Sequence, residues 1–138
     1  MIIATSGHVD HGKTLLVHGI TGIETDRLEE EKARGLTIDL GFAYTTIDGI
    51  RLGFIDVPGH IKFISNMLAG VSAIDFGLLV IAADDGPMPQ TAEHLAILNL
   101  IGIKQGAVVL TKIDRVPPER IAAAQREIQT LTRGTFLE

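Results

Sequence analysis

Gly7-His8-Val9-Asp10-His11-Gly12-Lys13-Thr14 is the stretch on which the reading of this chain turns. It fits the G-x-x-x-x-G-K-[S/T] pattern of a phosphate-binding P-loop with no mismatch. Its context fits as well. The apolar run Ile2-Ile3-Ala4-Thr5 precedes it as a strand, and Lys13-Thr14-Leu15-Leu16-Val17 opens a helix behind it. Glycines let successive backbone N–H groups turn towards one concave point, and the helix N-terminus adds partial positive charge there. In such a loop Lys13 neutralises the β- and γ-phosphates of a nucleotide, and the Thr14 hydroxyl ligates Mg²⁺.

Outward from the loop the chain alternates strands and helices, which predicts an α/β sheet with helices on both faces. The first strand is expected at residues 2–6. Residues 42–47 and 50–57 read as a hairpin around Asp48-Gly49, a strong two-residue turn signal. Unbroken apolar runs at 77–82 and 107–111 fit buried parallel strands. Ile61, Ile64, Leu68 and Val71 recur on one face of a helix, and Ile121, Ala124, Ile128 and Leu131 repeat that spacing after Pro117-Pro118. Pro87 and Pro89 precede a helix expected over 91–101 and stopped by Gly102. His18 and His94 fall in helices and are expected at the surface or the edge of the core.

The bulk numbers set limits. The 138 residues amount to one domain, and a hydrophobic fraction of 46% supports a core. Aromatics make up 4%, so that core is built from Ile, Leu, Val and Ala. A formal charge of −5 argues against a nonspecific grip on nucleic acid by this domain. The absence of cysteine excludes disulfides and thiolate metal sites. No signal peptide is visible, and the longest apolar run, 76–83, is too short to span a bilayer. The expectation is a soluble, cytoplasmic protein with no membrane or DNA partner.

Asp56-Val57-Pro58-Gly59-His60 ends the third strand. Asp56 can hold Mg²⁺ through water, and Gly59 can bring a backbone N–H to the γ-phosphate. Thr111-Lys112-Ile113-Asp114 ends another strand and resembles the N-K-x-D guanine-reading motif of GTPases, with Thr111 in place of Asn. An Asp carboxylate accepts two hydrogen bonds at once, from guanine N1–H and its exocyclic amine, and adenine has no such pair. The Lys112 stem can pack along the base. A Thr hydroxyl can still bridge backbone groups, with less reach than an amide. Residues 21–40 are polar, centred on Glu29-Glu30-Glu31-Lys32, and long for a plain surface loop. Segments that order around a γ-phosphate have this character. The acidic run is either a solvated face or a contact to RNA through Lys32 and Arg34.

Arg34-Gly35-Leu36-Thr37-Ile38-Asp39 resembles the first switch of translational GTPases, whose usual form is R-G-I-T-I. The P-loop, the Asp56–His60 block and Gly86-Pro87-Met88-Pro89-Gln90-Thr91 resemble the same family. Its selenocysteine-specific branch is suggested by Ile20-Thr21-Gly22, Asp26-Arg27-Leu28, Asn66-Met67-Leu68-Ala69-Gly70-Val71, Thr111-Lys112 and the short spacing from Thr14 to Thr37. The resemblance implies a Ras-type P-loop GTPase fold, mostly parallel with one antiparallel strand. It also implies that residues 1–138 are a GTP-binding domain incomplete at its C-terminus, lacking a further strand and helix. It implies binding of GTP and GDP with Mg²⁺ held by Thr14, Thr37 and Asp56. Turnover on the ribosome would use Thr37, Lys13 and His60, with His60 positioning the attacking water behind an apolar gate of Val9 and Leu36. On residue chemistry alone, His60 could simply begin a helix. The nucleotide contacts expected are Gly7, His8, Val9, Asp10, His11, Gly12, Lys13, Thr14, Asp56, Gly59, Thr111, Lys112 and Asp114. Asp10 is also a candidate for a monovalent cation, whereas a transition-metal role for His8 and His11 is disfavoured by their place inside the loop. The full factor would carry selenocysteinyl-tRNA to the ribosome and read the selenocysteine mRNA hairpin through C-terminal domains. The competing readings are an elongation factor Tu-like or initiation factor-like G domain, or a nucleotide-binding module with negligible turnover.

Overall fold

The computed structural model describes residues 1–8, 10–22, 41–56, 74–100 and 102–138. Strands β1 (Ile2–Gly7), β2 (Gly41–Ile47), β3 (Ile50–Asp56), β4 (Phe76–Ala82) and β5 (Gly106–Thr111) form one sheet in the order β2-β3-β1-β4-β5. β1 runs parallel to β3 and β4, and β4 parallel to β5, while β2 alone is antiparallel to its neighbour β3. The helices are α1 (Lys13–Thr21), α2 (Pro89–Leu100) and α3 (Pro118–Thr132), with a 3-10 turn at Ile113–Arg115. The expected α/β architecture is therefore present. The helix expected over residues 61–71, the first-switch block and strand residue Val57 lie outside the described residues.

Local chemistry accounts for these elements. Asp48 and Gly49 both take positive φ, 51° and 78°, the twist that a two-residue hairpin needs, and Ile47 pairs with Ile50 across it. α1 stops at Gly22, whose φ of 73° turns its N–H back to the His18 carbonyl at 2.8 Å. α2 begins where the Met88 N–H donates to Thr91 Oγ1 at 3.0 Å. α3 starts at Pro118, where a missing N–H costs nothing.

The two sheet faces bury different helices. On one face Val17 of α1 packs with Ala43 and Phe54, flanked by Ile3 and Leu52. On the other, Ile97 of α2 meets Ile55 and Ile2, and Leu95 of α2 joins Leu79 and Ile81. Ile128 and Leu131 of α3 close the same cluster, and Phe136 and Leu137 fold back onto it. β5 is an edge of the described sheet and is mostly half-buried, less enclosed than its apolar run suggests, because no strand pairs with its outer side among the described residues.

Leu79 is fully buried at the centre of the larger cluster, so Leu79→Ala is expected to lower stability by about 2–5 kcal/mol, read as a fall in the urea midpoint at unchanged slope.

Candidate functional site

Three parallel strands, β1, β4 and β5, end at one edge of the sheet, and the loop between β1 and α1 lies over those ends. Backbone geometry there depends on glycine. Gly7 has φ of 142°, and a Cβ on it would run into the Val80 carbonyl oxygen of β4. Gly12, at φ 92°, is the left-handed residue from which α1 starts. Asp10 is exposed at the loop tip with φ of 65°, a conformation that aspartate tolerates better than most.

Lys13 is 6% exposed, and its ammonium donates to the Gly7 carbonyl at 3.3 Å and the His8 carbonyl at 3.2 Å. The cation thus arches back over the loop that carries it. Thr14 sits half-buried in the first turn of α1. Asp56 ends β3 opposite Thr5, one strand over from the loop. Val9, Thr37, Gly59 and His60 lie outside the described residues.

The strand-end motif meets the loop directly. Thr111 Oγ1 donates to the His11 carbonyl at 2.6 Å, with the Ile81 carbonyl at 3.4 Å as a weaker alternative. The hydroxyl therefore bridges backbone groups despite replacing the usual Asn. Lys112 takes a positive φ of 57°, which starts the 3-10 turn carrying Asp114. Its ammonium lies 3.9 Å from the Asp84 carboxylate. Beside this turn is a cavity of about 460 Å³, walled by Leu15, Leu16 and Ile20 of α1 on one side and Thr111, Lys112 and Asp114 on the other. A slot with apolar walls and one exposed carboxylate suits a flat heterocycle with adjacent N–H donors.

Sequence reasoning missed two partners of the loop. His11 is fully buried, and its Nε2 lies 3.1 Å from Asp85 Oδ2 in the loop after β4. Burial holds its pKa below the ordinary value, against the upward pull of the Asp85 bond. The second is His94 of α2, whose Nδ1 accepts the Gly7 N–H at 3.2 Å. The expectation of a surface or core-edge His94 is corrected: its relative exposure is 0%. Thr91, His94, Leu95 and Leu98 form the buried stripe of α2, a spacing that the sequence already contained. His18, by contrast, is exposed as expected.

Among the described residues no group of three or more His, Cys, Asp and Glu could hold a metal ion by itself. Mg²⁺ needs no such group, because it keeps water and phosphate oxygens and takes only one or two protein ligands. A hydroxyl at Thr14 and a carboxylate at the end of β3 are donors of the right chemistry.

A P-loop over the ends of parallel strands, with a T-K-x-D strand end against it, defines a P-loop nucleotide-binding domain. The sequence profile of the Elongation factor Tu GTP binding domain matches residues 1–136, and the chain belongs to that family of translational GTPases. Within it the chain is similar to selenocysteine-specific elongation factors. The one from Escherichia coli (strain K12) is 60% identical over 134 residues, which is 96% of this chain and 22% of that protein. The crystal structure of a bacterial selenocysteine-specific elongation factor, EF-Sec, matches with a TM-score of 0.85 at 49% identity, over 96% of this chain and 23% of that one. Translation elongation factor SelB from Methanococcus maripaludis, in complex with the GTP analogue GppNHp, matches with a TM-score of 0.82 at 32% identity, over 98% of this chain and 27% of that one. This chain thus spans less than a quarter of the length of the Escherichia coli relative. The resemblance read from the motifs is met by both sequence and fold.

The buried histidines set a pH dependence. Burial, with Lys13 and His8 nearby, lowers the His94 pKa from 6.5 to about 4. The unfolded chain then binds more protons than the folded one between those values, so stability is full above pH 6.5 and falls as pH drops towards 4. His11 contributes with the same sign. A loss of about 2 kcal/mol from His94 is expected between pH 7 and pH 5, read from urea midpoints, and His94→Asn should flatten that slope.

Proposed function

We propose that this chain is the GTP-binding domain of a selenocysteine-specific elongation factor. In this reading it binds GTP with Mg²⁺, hydrolyses it to GDP and phosphate, and acts as the timer of a cytoplasmic factor that brings selenocysteinyl-tRNA to the ribosome. Reading of the selenocysteine mRNA hairpin belongs to other domains of that factor. The observation that carries the reading is the contact of Thr111 with the His11 carbonyl, which sets the base-reading turn beside the phosphate loop. Among the described residues no helix is long and apolar enough to cross a membrane.

The division of labour follows from charge. Backbone N–H groups of the P-loop and the Lys13 ammonium would meet the phosphates, while Thr14, Asp56 and Thr37 would hold the metal. The Lys13 ammonium has three donors, so it would meet the β- and γ-phosphate oxygens while keeping a carbonyl of the loop. Asp114 reads the guanine edge. Catalysis of phosphoryl transfer is then positioning plus electrostatic stabilisation, with His60 orienting the water. The half-buried edge of β5 supports a sheet that continues with one more strand.

Asp114→Asn should weaken GTP binding by roughly 2–4 kcal/mol, because two charge-assisted hydrogen bonds are disturbed, and should improve binding of xanthosine triphosphate. Equilibrium titration with both nucleotides checks this, and equal losses for the two would remove Asp114 from base reading. In the full-length factor His60→Ala is expected to leave GTP binding nearly intact and to abolish hydrolysis stimulated by ribosomes. A normal stimulated rate in a single-turnover assay would take His60 out of the mechanism.

A further inference from the structure

We propose that His94 is a positioning residue of the phosphate loop, fixing through Gly7 the point at which the loop leaves β1. The inference rests on the nucleotide-binding reading and adds to it a part outside every motif. His94 and Gly7 are 87 residues apart in sequence, yet the Gly7 amide donates to His94 Nδ1 at 3.2 Å in a buried setting. The Gly7 peptide has little freedom on its other sides. Its φ of 142° is open only to glycine, and the Val80 carbonyl closes the space where a Cβ would stand. Its own carbonyl accepts from Lys13 Nζ at 3.3 Å. One residue thus has its N–H held by α2 and its C=O held by the lysine that the loop exists to present.

The chemistry needs a neutral ring. An imidazole that accepts at Nδ1 carries its proton on Nε2, and a doubly protonated ring would turn a second donor on the Gly7 N–H. Full burial and the neighbouring Lys13 ammonium keep His94 neutral. Its Nε2 is buried without a hydrogen-bond partner among the described residues, so Gly7 is the only described group that the ring holds by a hydrogen bond. A ring placed so has no ion pair to serve. Its recorded work is to satisfy one amide, and that amide begins the loop. Movement of α2 against the sheet would therefore be felt first at Gly7, and through the Gly7 carbonyl at Lys13.

The test compares wild type, His94→Ala, His94→Asn and Ile97→Val in the full-length protein. Ile97, on the same helix as His94, packs against Ile55 and carries no hydrogen-bonding side chain, so its variant loosens α2 without removing the bond from the Gly7 amide to His94. Dissociation of a fluorescent GDP analogue is measured by stopped flow, beside the thermal midpoint. Alanine leaves a buried amide unsatisfied, and roughly tenfold faster dissociation is expected. Asparagine presents an acceptor near the place of Nδ1 and should restore the rate to within about twofold. Ile97→Val should lower the midpoint and leave the rate alone. Equal rates for wild type and His94→Ala, or no rescue by asparagine, would overturn the proposal. A second readout needs no nucleotide: ¹⁵N spectra should show the neutral Nε2–H tautomer of His94 and slow exchange of the Gly7 amide. The opposite tautomer or a rapidly exchanging amide also overturns it. A protected Gly7 amide in a wild-type protein that fails to retain GDP would uphold the contact and count against the nucleotide reading instead.

Discussion

The site depends on holding an irregular stretch of backbone still. A loop that turns its N–H groups towards one point cannot use them in a ladder, and its carbonyls need partners from elsewhere. Here side chains from three separate elements hold its carbonyls and its first N–H. Thr111 at the end of β5 donates to the His11 carbonyl, Lys13 of α1 donates to the carbonyls of Gly7 and His8, and His94 of α2 accepts from Gly7. The parallel sheet makes this possible, because β1, β4 and β5 all deliver their carboxyl ends to one edge. A threonine has a shorter side chain than asparagine, so the 2.6 Å contact requires the loop and the end of β5 to lie close together. The turn that carries Asp114, starting one residue later at Lys112, is set by the same approach.

Electrostatics at this edge is local and does not follow the net charge. The chain carries −5 overall, yet the loop presents Lys13 and the N-terminus of α1. Two acids, Asp84 and Asp85, stand next to the loop in the segment after β4 and are engaged with Lys112 and His11. Their partners tie the β4 loop to both nucleotide motifs. The buried histidines add no cation at neutral pH, since burial holds both below their ordinary pKa. The positive potential is therefore left to lysine and backbone.

Packing sets α2 and α3 against the sheet behind this edge. The larger apolar cluster joins β4, β5, α2 and α3, and the terminal Phe136 and Leu137 fold back onto it. Gly77 and Gly106 leave room for the Phe136 ring, which lies 3.1 Å from where a Cβ on Gly77 would be. α2 is thus pressed between the core and the loop. Arg120 of α3 donates to the Ala83 carbonyl at 2.9 Å and forks onto Glu127, holding the strand end just before the acid pair.

Sequence by itself determined whatever depends on neighbours a few residues away. The Asp48-Gly49 turn, the start of α3 at Pro118 and the glycines at 7 and 12 of the loop pattern are all local choices of φ, caps and spacing, and the structure carries each of them. The strands at 77–82 and 107–111 were legible from their apolar runs, and the half-burial of β5 reflects its place at an edge of the described sheet. His94 shows the other limit. Its spacing with Thr91, Leu95 and Leu98 put it on the buried stripe, but a histidine in a helix is ordinarily at the surface, and nothing near it in sequence names a partner. Only tertiary structure decided that it meets Gly7, that Asp85 meets His11, and that the Thr111 hydroxyl reaches the His11 carbonyl. The reason is physical: a hydrogen bond acts over about 3 Å, and only the folded sheet brings residues 74 to 100 positions apart within that range.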